Sequence, residues 1–173
     1  MNPMITNDIV EMACTEVGAF TDEQMLSEFD RFFQKQPGIC EFVAELTDES
    51  STEIQELSLF LSYMVFKAAE VAEMDETGVL VEVSAERIES AFHESASWIE
   101  RIEQSPDKEG SGLAPDDTEP FLVQYIISEL NQPLENGTLL EDEQKGEVFF
   151  VLRTVISSFA RKPNGPKGKE NTK

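Results

Sequence analysis

The stretch 89–100, ESAFHESASWIE, holds the only histidine and the only tryptophan of the chain, His93 and Trp98, and is the first place to look for chemistry. On a helix, Phe92 and Ile99 belong to one apolar stripe, whereas His93 falls beside that stripe among acidic residues. Glu89, four residues earlier, is placed to form a surface ion pair with the imidazole. We therefore expect His93 to be solvated and Trp98, at the edge of the stripe, to be half-buried.

The two cysteines, 26 positions apart, do not form the framework of a disulfide-rich domain. Cys14 shares a helix face with apolar residues and is expected in the core. Cys40 lies in the first turn of a helix, where the dipole lowers a thiol pKa, but the neighbouring Glu41 opposes this effect. Neither thiol is predicted to be catalytic, and no glycine-rich phosphate loop occurs, so no cofactor is expected.

Two acidic pairs have the spacing of a divalent metal site: Glu70-x-x-Glu73 and, twelve residues on, Glu86-x-x-Glu89. Each pair lies on one helix face, at the end of one predicted helix and the start of the next. The pattern resembles the ExxE…ExxD motif of the all-α nucleotide pyrophosphohydrolases, with Glu89 where that family has Asp. The resemblance implies a Mg²⁺-dependent enzyme as an alternative function. Acidic pairs at this spacing are no commoner than the composition predicts, so no metal ligand is assigned.

Charge limits the partners of this chain. It has 35 acidic and 13 basic residues and a net charge of −22. Such a surface repels bare nucleic acid and anionic membranes, so neither is an expected direct partner. The last 13 residues hold five of the bases and one of the acids, which leaves −26 on residues 1–160. A second alternative is therefore an acidic nucleic-acid mimic that inhibits a DNA-binding protein.

The elements that must position these residues are helices, because apolar side chains recur at steps of three and four. The expected fold is an all-α, single-domain, largely antiparallel bundle of about seven helices built around the fourth and the seventh. The predicted helices span about 8–19, 22–36, 37–46, 51–74, 84–104, 119–131 and 141–161.

Local signals mark where several helices begin. Thr21 with Gln24 forms a capping box, and Ser50 with Glu53 is predicted to form a second. Pro37 and Pro120 fit the first turn of a helix, where a missing N–H costs nothing.

Three segments break the helical pattern. GVLVEV (78–83) has strand composition but no second strand to pair with, so we expect an extended connection across the bundle. Residues 105–118, rich in Pro, Gly and acids, are interpreted as a surface loop within one domain, 1–160. Residues 161–173 are interpreted as a disordered basic tail.

An internal repeat is a further interpretation of the pattern. FVAEL (42–46) and IISEL (126–130) each end a short helix that follows a proline and precedes a long apolar one. If the repeat is real, the core consists of two pseudo-repeated helical hairpins.

The leading functional hypothesis is a cytoplasmic, non-catalytic interaction protein, an adaptor or small regulator. The first residues show no secretory signal, and the longest uncharged apolar stretch, ten residues, is too short for a membrane span. The helix at 8–19 is apolar over more than one face, which predicts a surface for a partner or a homodimer. The expected protein-binding residues are Met4, Ile9, Val10, Met12 and Val17. The alternative is that this helix is part of the core.

Overall fold

Each helix predicted from the sequence is present, with ends that differ by at most two residues. The computed structural model describes residues 5–74, 80–104, 119–134 and 136–160, and these ranges contain seven helices and no strand. The helices are α1 (Asn7–Gly18), α2 (Asp22–Lys35), α3 (Pro37–Leu46), α4 (Thr52–Met74), α5 (Ala85–Gln104), α6 (Pro120–Leu130) and α7 (Asp142–Phe159). The predicted all-α, single-domain helical bundle is confirmed.

Helix starts follow the local signals, with one correction. The Thr21 capping box is formed: Gln24 N–H donates to Thr21 Oγ1 at 3.1 Å, and Thr21 N–H donates to Gln24 Oε1 at 2.8 Å. The predicted box of Ser50 with Glu53 is wrong by one residue. Ser51 caps α4 instead, because its Oγ accepts the backbone N–H of Ile54 at 3.3 Å.

The core lies around α4 and α7. Every residue from 61 to 69 of α4 is buried, and α4 packs against α1, α2, α3 and α7. In turn, α7 packs against α3, α5 and α6 as well. Helices α5 and α7 run antiparallel, since Arg87 at the start of α5 bonds to the carbonyl of Ser158 at the end of α7. Two helices that are apolar on most sides thus occupy the centre, as their composition predicts.

The strand-like segment pairs with a side chain rather than with a strand. Residues 80–84 form no regular element, and their backbone is held by Gln36, whose side chain is 1% exposed. The Gln36 amide donates to the Val81 carbonyl at 3.1 Å and accepts the Val83 N–H at 2.8 Å. One glutamine therefore satisfies the backbone much as a neighbouring strand would. The predicted absence of a strand is confirmed for residues 80–84, and their extended course across the bundle stays a prediction.

The remaining predictions concern the internal repeat, the loop and the tail. Helix α3 packs on α4, α6 packs on α7, and α4 contacts α7, an order compatible with two hairpins. The repeat itself stays a prediction. The predicted loop, 105–118, and the predicted tail, 161–173, lie outside the described residues. None of the described helices combines the length and the apolar character needed to cross a membrane.

Candidate functional site

The predicted N-terminal binding residues lie mostly against the bundle. Helix α1 packs on α4 and α6, which buries Val10 in the core and leaves Ile9 and Val17 partly buried against it. Met12 is 58% exposed. Met4 lies outside the described residues. Of the four that are described, only Met12 presents most of its side chain to solvent.

The chain just before α1 is also anchored. Ile5 is buried, and its backbone N–H donates to Oε1 of Glu119 at 2.9 Å. Glu119 is itself buried. Its φ of 56° is a left-handed backbone conformation, which costs free energy for residues other than glycine. The start of α6 thus anchors the N-terminal segment. Packing against α4 and α6 covers much of the apolar surface of α1.

The four glutamates of the acidic pattern do not converge. Glu70 accepts hydrogen bonds from the guanidinium of Arg31, and Glu73 is buried. Glu86 and Glu89 are exposed and line an open polar groove on α5. Among the described residues, which include all four, no group of three or more His, Cys, Asp or Glu is placed to hold a metal ion.

Glu70 belongs instead to a charge network between α2 and α4. The Arg31 guanidinium bridges two carboxylates, with Nη2 2.9 Å from Glu28 Oε1 and 2.7 Å from Glu70 Oε1. It also lies 5.3 Å from the ring centre of Phe66. The hydroxyl of Tyr63, a fully buried residue, donates to Glu28 at 2.7 Å. Such bidentate, charge-assisted bonds fix the angle at which two helices cross.

Lys67 extends this network to α1. Its Nζ lies 3.0 Å from Glu16 and 3.8 Å from Glu28, and 5.7 Å from the ring centre of Phe20. The ammonium group is largely buried, and the two carboxylates offset the free-energy cost of removing its charge from water. The network therefore holds three helices together and is a structural feature.

These contacts shift the pKa values of the network. The hydrogen bond from Arg31 lowers the pKa of Glu28 to about 2, against the opposing effect of burial, and the bond from Tyr63 adds to the lowering. Burial, together with the neighbouring Glu28, raises the pKa of Tyr63. Both shifts keep Glu28 ionised and Tyr63 protonated at any physiological pH.

We expect this network to contribute to the pH dependence of stability. The pKa of Glu28 is about 2 in the folded protein, below the 4.5 of an unperturbed glutamate. The contribution is therefore fully present above pH ~4.5 and is lost as pH falls towards 2. Because Glu28 is partly solvated, we expect a loss of about 1–2 kcal/mol rather than the full value of the shift.

The measurement is the free energy of unfolding in urea, between pH 7 and pH 2.5, for the wild type and for Glu28→Gln. The difference between the two proteins should be constant above pH ~4.5 and shrink below it. A difference that does not change with pH would contradict the assigned pKa.

The histidine lies at the surface, and burial affects both cysteines. His93 is exposed, with Nε2 3.9 Å from Glu89, so the predicted surface placement is confirmed. Burial raises the pKa of Cys40 to about 12 and also raises that of Cys14, which keeps both thiols protonated. Trp98 is 7% exposed, not half-buried as expected; its ring centre lies 4.5 Å from the Arg153 guanidinium and 5.6 Å from the ring centre of Phe149.

A feature that sequence reasoning missed is an open groove at one end of the bundle, which we call the end groove. It has a volume of about 780 Å³ and forms where α3 ends, α4 and α7 begin, and α5 passes. Its apolar lining residues are Leu46, Ile54, Ile99, Val148, Phe150 and Val151. Ile54, Val148 and Val151 are buried, so the apolar surface open to solvent comes from the other three.

A line of aromatic rings, which ends at the groove residue Phe150, connects three of the helices that form the groove. The rings of Phe42 on α3 and Phe92 on α5 are 6.2 Å apart, and those of Phe92 and Phe150 on α7 are 5.4 Å apart. Both pairs meet edge to face, the preferred geometry for aromatic contacts. Leu46 lies one helical turn beyond Phe42 and is 40% exposed. The aromatic contacts thus join α3, α5 and α7, three of the helices that form the groove.

The lining of the end groove also includes two carboxylates and a glycine. Two exposed carboxylates, Glu49 and Glu147, lie among its lining residues. Gly146 lies in the first half of α7, and an added Cβ there would meet no atom of the described residues within 4 Å. A glycine inside a helix costs about 1 kcal/mol relative to alanine. The sequence shows this glycine, but not that it lines a groove together with residues of α3 and α5.

Function has to be inferred from this geometry. No protein-family model, curated protein or solved structure matches the chain.

Proposed function

We propose that this protein is a non-catalytic interaction module that binds a segment of a partner protein in the end groove. The observation that carries the proposal is an open groove at the junction of four helices, where Leu46 is 40% exposed and Ile99 and Phe150 are partly exposed. Apolar surface of this kind gains free energy when a partner covers it. The groove on α5 differs in that its lining residues are mostly charged or hydroxyl-bearing.

The size and shape of the end groove suit a chain segment. Its volume of about 780 Å³ lies within the range of small-molecule pockets, about 300–1,000 Å³. Pockets for small molecules, however, bury most of their ligand, whereas this groove is open along the end of the bundle. A helix or loop of another protein would cover it and leave its own polar side in solvent.

The N-terminal surface and the homodimer predicted from the sequence stay separate proposals. Met12 is the residue that supports them, because it is an exposed and flexible apolar side chain on α1. Helix α1 does not contribute to the end groove. The two surfaces can therefore be tested independently in the same protein.

Site-specific photo-crosslinking in producing cells tests both. A photoreactive amino acid is placed at Leu46 in the end groove, at Met12 on α1, and at Leu26, an exposed control position on α2. We expect a discrete adduct with another protein from position 46 and none from position 26. Adducts from position 12 but not from 46 would move the interaction to the N-terminal surface. The same adducts from all three positions, or none from 46, would refute the end groove as the binding site.

A further inference from the structure

We propose that the occupant of the end groove is a positively charged amphipathic α-helix of another protein, whose backbone passes close to Gly146. This inference rests on the proposed function, since it names the partner of the same groove. It follows from three properties of the groove: the carboxylates on its rim, the apolar side chains among its lining residues, and the missing side chain at the exposed Gly146.

Charge selects a basic partner. Glu49 and Glu147 stand on the part of the rim that α3, α4 and α7 form, and both are exposed. The chain as a whole carries −22, so an acidic helix would be repelled on approach and a basic one attracted. Basic side chains flanking an apolar stripe would reach both carboxylates while the stripe enters the groove.

Composition argues against two charged segments of this chain as occupants of the groove. The sequence 161–173 supplies five bases but no large apolar side chain. The sequence 105–118 has four acids and one base, so the rim would repel it. Neither combines the positive charge and the apolar side chains that the groove requires, and a partner helix does.

Gly146 points to close approach by another backbone. Nothing in the described structure occupies the space where a side chain would lie, so internal packing does not require glycine there. Without a side chain, a partner helix can lie nearer to α7 than at any neighbouring position. A helix is favoured over an extended segment because the groove walls are helices. They offer no sheet edge to pair with the backbone of a strand, whereas a helix satisfies its own.

Synthetic peptides of 18 residues test this proposal by fluorescence anisotropy in 0.15 M salt, a concentration that screens most long-range attraction (Debye length about 8 Å). The probe has leucines at helical spacing on one face and lysines on the other. One control has the same composition in scrambled order, and another replaces lysine by glutamate. We expect the probe to bind at least about tenfold more tightly than the scrambled peptide and to gain helical circular dichroism on binding.

Two glycines provide matched variants. Gly146→Leu adds a side chain among the lining residues of the groove. Gly18→Leu adds the same side chain at the end of α1, where an added Cβ also meets nothing within 4 Å in the described residues. We expect Gly146→Leu to weaken binding of the probe at least about tenfold and Gly18→Leu to change it less than about twofold. Glu147→Lys, on the rim, should weaken it at least about threefold. Thermal melts establish that each variant is folded.

Several results would overturn the inference. Equal affinity for the probe and the scrambled peptide would mean that charge alone drives binding. Equal effects of Gly146→Leu and Gly18→Leu would place the peptide elsewhere. Failure of every peptide, with a discrete adduct still formed from position 46, would refute the basic helix and leave the proposed function standing. If no adduct forms from position 46, the proposed function itself is refuted.

Discussion

Deletion of residues 1–18 is expected to abolish the cooperative thermal unfolding transition. The deletion removes Ile5 and Val10 from the core and uncovers the sides of α4 and α6 on which α1 packs. Burial of one such side chain contributes about 1.5–3 kcal/mol, so the loss of two of them and their packing reaches about 5 kcal/mol or more. That is comparable with the whole stability of an ordinary domain, about 5–15 kcal/mol.

The control is a substitution on the exposed side of the same helix. Met12→Ser changes a side chain that is mostly in solvent, so the melting temperature should stay within about 2 °C of the wild type. Circular dichroism melts and light scattering on all three proteins provide the measurement. A truncated protein that melts cooperatively as a monomer, beside a dimeric wild type, would show that α1 is an interface and not part of the core.

The helices could be predicted because their signals are local. Apolar periodicity, the Thr21 capping box and the prolines at 37 and 120 all act within one or two turns, and the structure agrees with them. The capping box at Ser50 was misplaced by one residue because Ser50 and Ser51 are chemically equivalent caps. Only the exact start of the helix distinguishes them.

The contacts of Gln36 could not be predicted, because its partners are 45 and 47 residues away. A glutamine at the end of an amphipathic helix is ordinarily solvated. Here the segment 80–84 needs donors and acceptors that no strand supplies, and Gln36 is the side chain in reach. The sequence showed that this segment lacked a strand partner, but not what would replace one.

The candidate site was hidden for a related reason. The sequence pattern places Glu70 and Glu73 on one helix face, but tertiary packing decides which group each of them contacts. Glu70 accepts a hydrogen bond from Arg31, which lies 39 residues earlier. The end groove likewise depends on where α3 stops and α7 starts relative to α5. The one feature of the groove that the sequence indicates is Gly146, a glycine inside a predicted helix.

The second large effect is expected from Arg31→Met. The substitution keeps an apolar stem beside Phe66 but removes the charge between Glu28 and Glu70, two carboxylates with only 19% and 21% of their side chains exposed. Partly buried carboxylates left without their cation repel each other. We expect the free energy of unfolding to fall by about 3 kcal/mol, moderated by Lys67, which lies 3.8 Å from Glu28.

Urea denaturation of a double-mutant cycle provides the measurement. Arg31→Met with Glu70→Leu removes one charge of each sign, so the double variant should be more stable than Arg31→Met alone. Arg31→Lys should recover only part of the loss, since an ammonium group cannot make the forked contacts that join Glu28 to Glu70. A change below about 0.5 kcal/mol for Arg31→Met would mean that solvent screens the pair, and that apolar packing alone holds α2 against α4.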